Sequence, residues 1–182
     1  LRHIITRVAW STGDIMVVLV VTTVRIKQIK KLAEHLAKEI PAVKSVILNI
    51  NTRRDNVILG EKVITVYGKD TLIDTLGPFK FHISPLSFYQ VNPIQTVVLY
   101  QKAVEFAGLT GNETVFDLYC GIGTISLFLA QKAKKVIGVE VVEEAVKAAN
   151  KNAKLNGIKN TEFYAGTAEE IAETIIEKLR AA

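Results

Sequence analysis

A single cysteine, Cys120, stands among the 182 residues. One thiol excludes an internal disulfide, a multi-cysteine zinc site and an iron–sulfur cluster held by this chain alone. It fits a reducing compartment, and a cytoplasmic location is expected. Long hydrophobic runs are lacking as well. The longest, Ile15 to Val21, falls far short of the roughly 20 apolar residues that cross a bilayer. It reads as a buried strand, and no membrane partner is expected. No cleavable leader pattern and no low-complexity tract are visible, and the first residue is Leu1 rather than Met, which hints at a piece of a longer protein. His3, His35 and His82 are scattered and suggest no metal site.

What is present supports a packed core: 49% of the residues are hydrophobic. The net charge of +5 permits a nucleic-acid partner without demanding one. Arg53-Arg54, Lys30-Lys31 and Lys134-Lys135 are short clusters amid charges of both signs, and they read as solvated faces.

The first half reads as α+β. Ile4 to Trp10 and Ile15 to Val21 flank the turn-forming Ser11-Thr12-Gly13-Asp14, which predicts a hairpin. Trp10, on a strand near a turn, is expected in the core. Ile26, Ile29, Leu32, Ala33, Leu36 and Ile40 recur at helical spacing, and Pro41 stops that helix. Val46–Ile50, Val57–Leu59, Val63–Tyr67 and Phe79–Ile83 are candidate strands between Asn, Asp, Gly and Pro signals. The second half changes rhythm. After a helix from about Pro93 to Ala107, strand and helix alternate: Val115–Leu118, Ile125–Lys132, Val136–Glu140, Glu143–Asn156, Glu162–Tyr164, Ala168–Leu179. Alternation of this kind predicts an α/β fold, a parallel sheet with crossover helices. The boundary is placed between residues 84 and 85, giving a central α+β domain over 1–84 and a Rossmann-like, truncated domain with three parallel strands over 85–182.

The stretch Asp117-Leu118-Tyr119-Cys120-Gly121-Ile122-Gly123-Thr124 joins an apolar strand to an apolar helix. Strand, glycine loop and helix in this order let a backbone approach a nucleotide-like ligand closely. The next strand ends at Glu140, about 20 residues on, where a doubly wound sheet places the acid that binds ribose hydroxyls. A dinucleotide fingerprint would need a third glycine where Ser126 stands, which argues against a nicotinamide cofactor. The alternative is a tight turn and a solvated strand end with no ligand.

Phe81-His82-Ile83-Ser84-Pro85-Leu86-Ser87-Phe88-Tyr89-Gln90-Val91-Asn92-Pro93, followed by Gln95 and Leu99-Tyr100, resembles the hallmark segment of the RNA uracil-5-methyltransferases. The glycine loop resembles that family's first cofactor motif, Gly138-Val139-Glu140 its second, and Ala149-Asn150 with Asn156-Gly157 the helix that follows. Leu1-Arg2-His3, Asn49-Ile50-Asn51 and Asn56-Val57-Ile58-Leu59-Gly60 are similar to the bacterial branch acting on 23S ribosomal RNA. The resemblance implies transfer of a methyl group from S-adenosylmethionine to carbon 5 of uridine in ribosomal RNA, or in tRNA. It also implies that Gln90, Tyr119, Gly121, Gly123 and Glu140 bind the cofactor. Thr167 stands where the family usually has Asp or Asn near the adenine.

Members of that family use a cysteine nucleophile in a later S-C-N-P segment, preceded by Asp-Pro-Pro-Arg. Neither occurs in this chain, nor does the N-terminal four-cysteine cluster or RNA-binding barrel. The chain alone is therefore expected to be inactive, with no catalytic residue of its own. Cys120 could be read as a nucleophile, but it lies inside the cofactor loop with no histidine near it in sequence, so packing beneath the loop is the stronger reading. Phe88, Tyr89 and Asn92 could face a flipped base or serve packing and turn capping. A non-catalytic RNA-binding module is the other functional class considered. A sheet with an unpaired apolar edge at Val115–Leu118 would further favour self-association.

Overall fold

The computed structural model describes residues 1–171. The helix expected over Ala168–Leu179 falls largely outside them. Two compact units are present. The first comprises Leu1–Thr75 and His82–Leu86, and the second comprises Leu76–Phe81 and the described residues from Ser87 on.

The first unit is built on a four-stranded mixed sheet in the order β1-β2-β3-β4: β1 (His3–Val8), β2 (Ile15–Val21), β3 (Val43–Ile50) and β4 (Lys62–Gly68). β1 and β2 form the antiparallel hairpin expected of the Ser11–Asp14 turn. The β2–β3 pairing is parallel, and α1 (Ile29–Glu39) makes the crossover. Strand β2 is buried from Met16 to Val21, because both its faces are covered. Val17, Leu19 and Val21 pack with Val46, Leu48 and Ala33 of α1, while Met16 and Val18 pack with Ile47 and Leu72 on the opposite face.

Two expectations for this unit need correction, and one strand goes beyond them. Trp10 is 67% exposed and not in the core, since β1 ends at Val8 and Trp10 falls in the turn. Val57–Leu59 is not a strand: the Asn51 side-chain amide donates to the carbonyls of Val57 and Ile58 at 2.7 and 2.9 Å, which occupies backbone that a neighbouring strand would need. A further strand, β5 (Leu72–Leu76), pairs with β6 (Phe79–Ile83) in a separate two-stranded sheet. Its inward residues are Leu72, Asp74 and Leu76, and the acid in the middle hides the alternation. Asp74 is buried because its carboxylate accepts the backbone N–H groups of Ser11 and Thr75, each at 2.8 Å.

The second unit carries a three-stranded parallel sheet in the order β7-β8-β9: β7 (Thr114–Asp117), β8 (Lys135–Glu140) and β9 (Thr161–Ala165). α2 (Pro93–Phe106) precedes it, α3 (Thr124–Ala130) joins β7 to β8, and α4 (Glu143–Leu155) joins β8 to β9. Asn92 caps α2 by accepting the Gln95 N–H at 3.1 Å, with Pro93 in the first turn. Asn92 thus serves as the cap of α2 through its side-chain oxygen. An aromatic cluster fills one part of the core: Phe128 of α3 meets Phe79 and Tyr100 edge-on, with ring centroids 5.2 and 5.4 Å apart. Phe88, by contrast, is 76% exposed and packs in no core.

Candidate functional site

In an open parallel sheet, ligands bind beyond the carboxyl ends of the strands. Those ends carry Asp117 through Gly123 after β7, Glu140 at the end of β8 and Gly166-Thr167 after β9. The sheet register brings them together, since Glu140 pairs with Ala165 and Asp117 with Gly138.

The loop turns sharply because Gly121 and Gly123 both adopt left-handed backbone angles, φ 54° and 81°. Open space lies where a side chain on Gly121 would project, so a ligand can approach the backbone there. Gly123 differs: a Cβ would lie 3.1 Å from the Phe163 ring and 3.2 Å from the Ala149 methyl. The same ring crowds the position of a Cβ on Gly138, where the Cys120 sulfur is also within 3.0 Å. Phe163 thus occupies the volume that two glycines leave vacant.

The Glu140 carboxylate spans two turns. One oxygen accepts the Gly121 N–H at 3.1 Å and the other accepts the Val142 N–H at 3.0 Å. Each carboxylate oxygen has a further lone pair for a hydroxyl donor. The Glu140 carbonyl accepts the Gly166 N–H at 3.1 Å, which holds the Thr167 turn beside it. Thr167 is exposed and its hydroxyl accepts the Glu170 N–H at 3.4 Å, as a helix cap. Tyr119 stands 77% exposed at the loop's crest, and its ring is available to a ligand. Gln90 is half-buried in the segment between β6 and α2, next to Tyr89, whose ring lies 6.3 Å from that of Phe81. The structure therefore gathers Tyr119, Gly121, Gly123, Glu140 and Thr167 at one end of the sheet, with Gln90 on a separate segment.

Several contributors were not singled out as site residues from sequence. Ser126, fully buried, donates its hydroxyl to Asp117 at 2.5 Å. Burial pushes the Asp117 carboxyl above its usual range, with this hydrogen bond opposing the shift. A side chain where a dinucleotide site has its third glycine is thus explained by its partner. The Tyr100 hydroxyl lies 3.1 Å from that of Thr124 at the start of α3. Asn152 of α4, also fully buried, donates to the Ile122 carbonyl at 3.0 Å, in the middle of the loop.

Cys120 is buried, and desolvation, with help from the Asp117 and Glu140 charges, pushes its thiol up to about 12. A neutral thiol sealed beneath a loop is not a nucleophile. Among the described residues no cluster of His, Cys, Asp and Glu could hold a metal ion, and no helix is long and apolar enough to cross a membrane.

A family profile described as a methyltransferase domain matches residues 109–180. An uncharacterized RNA methyltransferase of Clostridium acetobutylicum is 54% identical over 178 residues, 98% of this chain and 39% of the relative. Another, from Caldanaerobacter subterraneus, is 53% identical over the whole chain and 40% of its own length. The chain thus spans about two fifths of the length of these relatives. Among solved structures, the Pyrococcus abyssi tRNA (uracil-54, C5)-methyltransferase in complex with S-adenosyl-L-homocysteine superposes with a TM-score of 0.71 at 25% identity, over 90% of this chain and 38% of that one. The α/β, Rossmann-like methyltransferase fold is that of this chain.

Proposed function

We propose that this chain is the central and cofactor-binding portion of an S-adenosylmethionine-dependent RNA methyltransferase that acts on carbon 5 of uridine, in 23S ribosomal RNA by preference. The observation that carries this reading is the Glu140 carboxylate at the end of β8, braced by the Gly121 and Val142 amides. Such an acid fits a ribose diol, and the space open beside Gly121 fits the approach of the rest of the ligand. When bound, S-adenosylmethionine supplies an electrophilic methyl group on its sulfonium. Glu140 then accepts hydrogen bonds from the ribose hydroxyls, Gly121 and Gly123 let the backbone pass beneath the cofactor, and Tyr119 lines it. Gln90 approaches from its own segment and Thr167 lies by the adenine.

A functional boundary between residues 84 and 85 separates a central α+β part from this cofactor-binding part. The chain works in the cytoplasm. It carries no catalytic residue: its one thiol is sealed and neutral, so addition to carbon 6 of uracil is closed to it. Alone it is inactive. Strand β7 has a neighbour on one side only among the described residues, which supports self-association through that edge.

A second reading, tRNA as substrate, is favoured by the superposition on a tRNA (uracil-54, C5)-methyltransferase. Titration calorimetry with S-adenosylhomocysteine tests the cofactor, and saturable heat is expected. Incubating a full-length relative with labelled cofactor and unmodified 23S ribosomal RNA or tRNA tests the substrate. Label at carbon 5 of a ribosomal uridine is expected. Label confined to tRNA selects the second reading, and label on another base overturns both. Sedimentation of this chain at micromolar concentration tests the edge: a clean monomer rejects self-association.

A further inference from the structure

We propose that Asn152 of α4 and Asn156, the residue that caps the C-terminus of α4, are positioning residues that hold the two separate segments of the cofactor site in their binding geometry. The inference rests on the cofactor reading above and concerns groups that do not themselves touch the ligand.

The first segment is the glycine loop. Ile122 lies between two left-handed glycines, Gly121 and Gly123. Glycine loses more conformational freedom on ordering than any other residue, so a loop of this composition needs ties. Glu140 holds its near end through the Gly121 N–H. The middle peptide is held from the opposite side by the Asn152 side-chain amide, which donates to the Ile122 carbonyl from a fully buried position.

The second segment leads to Gln90. Strand β6 presents the backbone of Lys80, and the Asn156 carboxamide grips it at both groups. The Lys80 N–H donates to the Asn156 side-chain oxygen at 2.8 Å, and the Asn156 side-chain nitrogen donates to the Lys80 carbonyl at 2.7 Å. The carboxamide thereby takes the place of a peptide group in a neighbouring strand. The same nitrogen donates to the Asn152 carbonyl at 2.7 Å, which ties the two grips together. Phe81, next to Lys80 on β6, packs against Tyr89, and Tyr89 precedes Gln90. Asn152 in the last turn of α4 and Asn156 at its C-cap thus reach the two segments, one each. Asn150, two residues before Asn152, is exposed and donates to the Val146 carbonyl of its own helix.

Asn160 supplies the control. Its side-chain amide donates to the carbonyls of Ala130 and Ala133, at 2.9 and 3.0 Å, and so ties down the end of α3 away from the glycine loop. It makes comparable bonds without touching either segment. Asn152→Ala, Asn156→Ala and Asn160→Ala are compared with the unaltered chain at low temperature, where circular dichroism reports all of them folded. Binding of S-adenosylhomocysteine is measured by calorimetry, and amide exchange of Gly121 and Gly123 by NMR. Asn152→Ala and Asn156→Ala are expected to weaken binding roughly 10-fold, and Asn152→Ala to speed exchange of the loop amides by a similar factor. Asn160→Ala is expected to lower Tm while leaving affinity within about twofold. Equal loss of affinity in all three variants, or unaltered affinity in Asn156→Ala, overturns the proposal. Should Asn152→Ala not fold, Asn156→Ala decides. If the unaltered chain binds no S-adenosylhomocysteine, the cofactor reading fails, and loop exchange in Asn152→Ala against Asn160→Ala still decides whether Asn152 positions the loop.

Discussion

Glu140 holds Gly121 across the gap between two strands: its carboxylate at the end of β8 accepts the N–H of a loop residue that follows β7, at 3.1 Å. The acid therefore shapes the loop before any ligand arrives, and this preorganisation lowers the ordering cost of binding. Glu140→Ala removes the loop brace and, on the proposed function, the ribose acceptor as well. Affinity for S-adenosylhomocysteine is expected to fall ~10-fold or more, or about 1.4 kcal/mol. Glu140→Gln keeps one acceptor oxygen and should lie between the two. Unaltered calorimetric isotherms for both variants would remove Glu140 from the site.

Gly138 has no room for a methyl group. Its Cβ would press on the Phe163 ring and sit 3.0 Å from the Cys120 sulfur. Gly138→Ala is expected to destabilise the chain by about 1–3 kcal/mol, as overpacking does. Thermal unfolding should show Tm lower by several degrees. Gly121→Ala meets no neighbour, so its cost comes only from the left-handed backbone and should be smaller.

Cys120 should be unreactive in the folded chain. Its thiol is pushed up to about 12 from 9.0, so the thiolate fraction at pH 8 is far below that of the unfolded chain. Labelling with a chromogenic disulfide reagent should be slow until denaturant is added, and prompt labelling without denaturant would contradict the burial. The raised value also fixes a sign. The unfolded thiol ionises near 9.0 and the folded one near 12. This group's contribution to stability is therefore complete below pH 9 and declines as pH rises toward 12.

Glu113 behaves in the opposite sense. Its carboxylate accepts the Thr110 hydroxyl at 2.6 Å and the backbone N–H groups of Thr110, Gly111 and Asn112, closing the turn before β7. Its value is lowered from 4.5 to about 2, chiefly by the Thr110 hydroxyl. The stabilisation it provides is complete above about 4.5 and is lost as pH falls toward 2. Glu113→Gln should lower Tm at neutral pH, and the difference should close in strong acid. A side-chain titration followed by NMR with a midpoint in the ordinary glutamate range would refute the turn's geometry.

Much of this arrangement can be read from the chain because local signals and the fold agree. Alternating strands and helices around the glycine loop specify the parallel sheet, and the distance from Gly121 to Glu140 places the acid at the next strand's end. Trp10 and Val57–Leu59 mislead because apolar residues are read as buried or extended, whereas a turn and the Asn51 amide decide their surroundings. Asp74 hides β5, since its burial depends on the Ser11 N–H, 63 residues away. Asn152 is silent in sequence for the same reason: an asparagine inside a helix signals nothing without the carbonyl it meets, 30 residues earlier. Ser126 reads as a missing glycine in sequence, and only its hydrogen bond to Asp117, nine residues earlier, explains it.

The chain enters the second compact unit at Leu76, leaves it after Phe81, and returns at Ser87. A single recombination breakpoint cannot exchange that unit intact. A crossover at residue 84 would pass Phe79 and Lys80 to one descendant, and their partners Phe128 and Asn156 to the other. Shuffled descendants would inherit mismatched aromatic and backbone contacts. The two units are therefore expected to travel through evolution as one heritable block, with sequence change in β6 matched by change in α3 and α4.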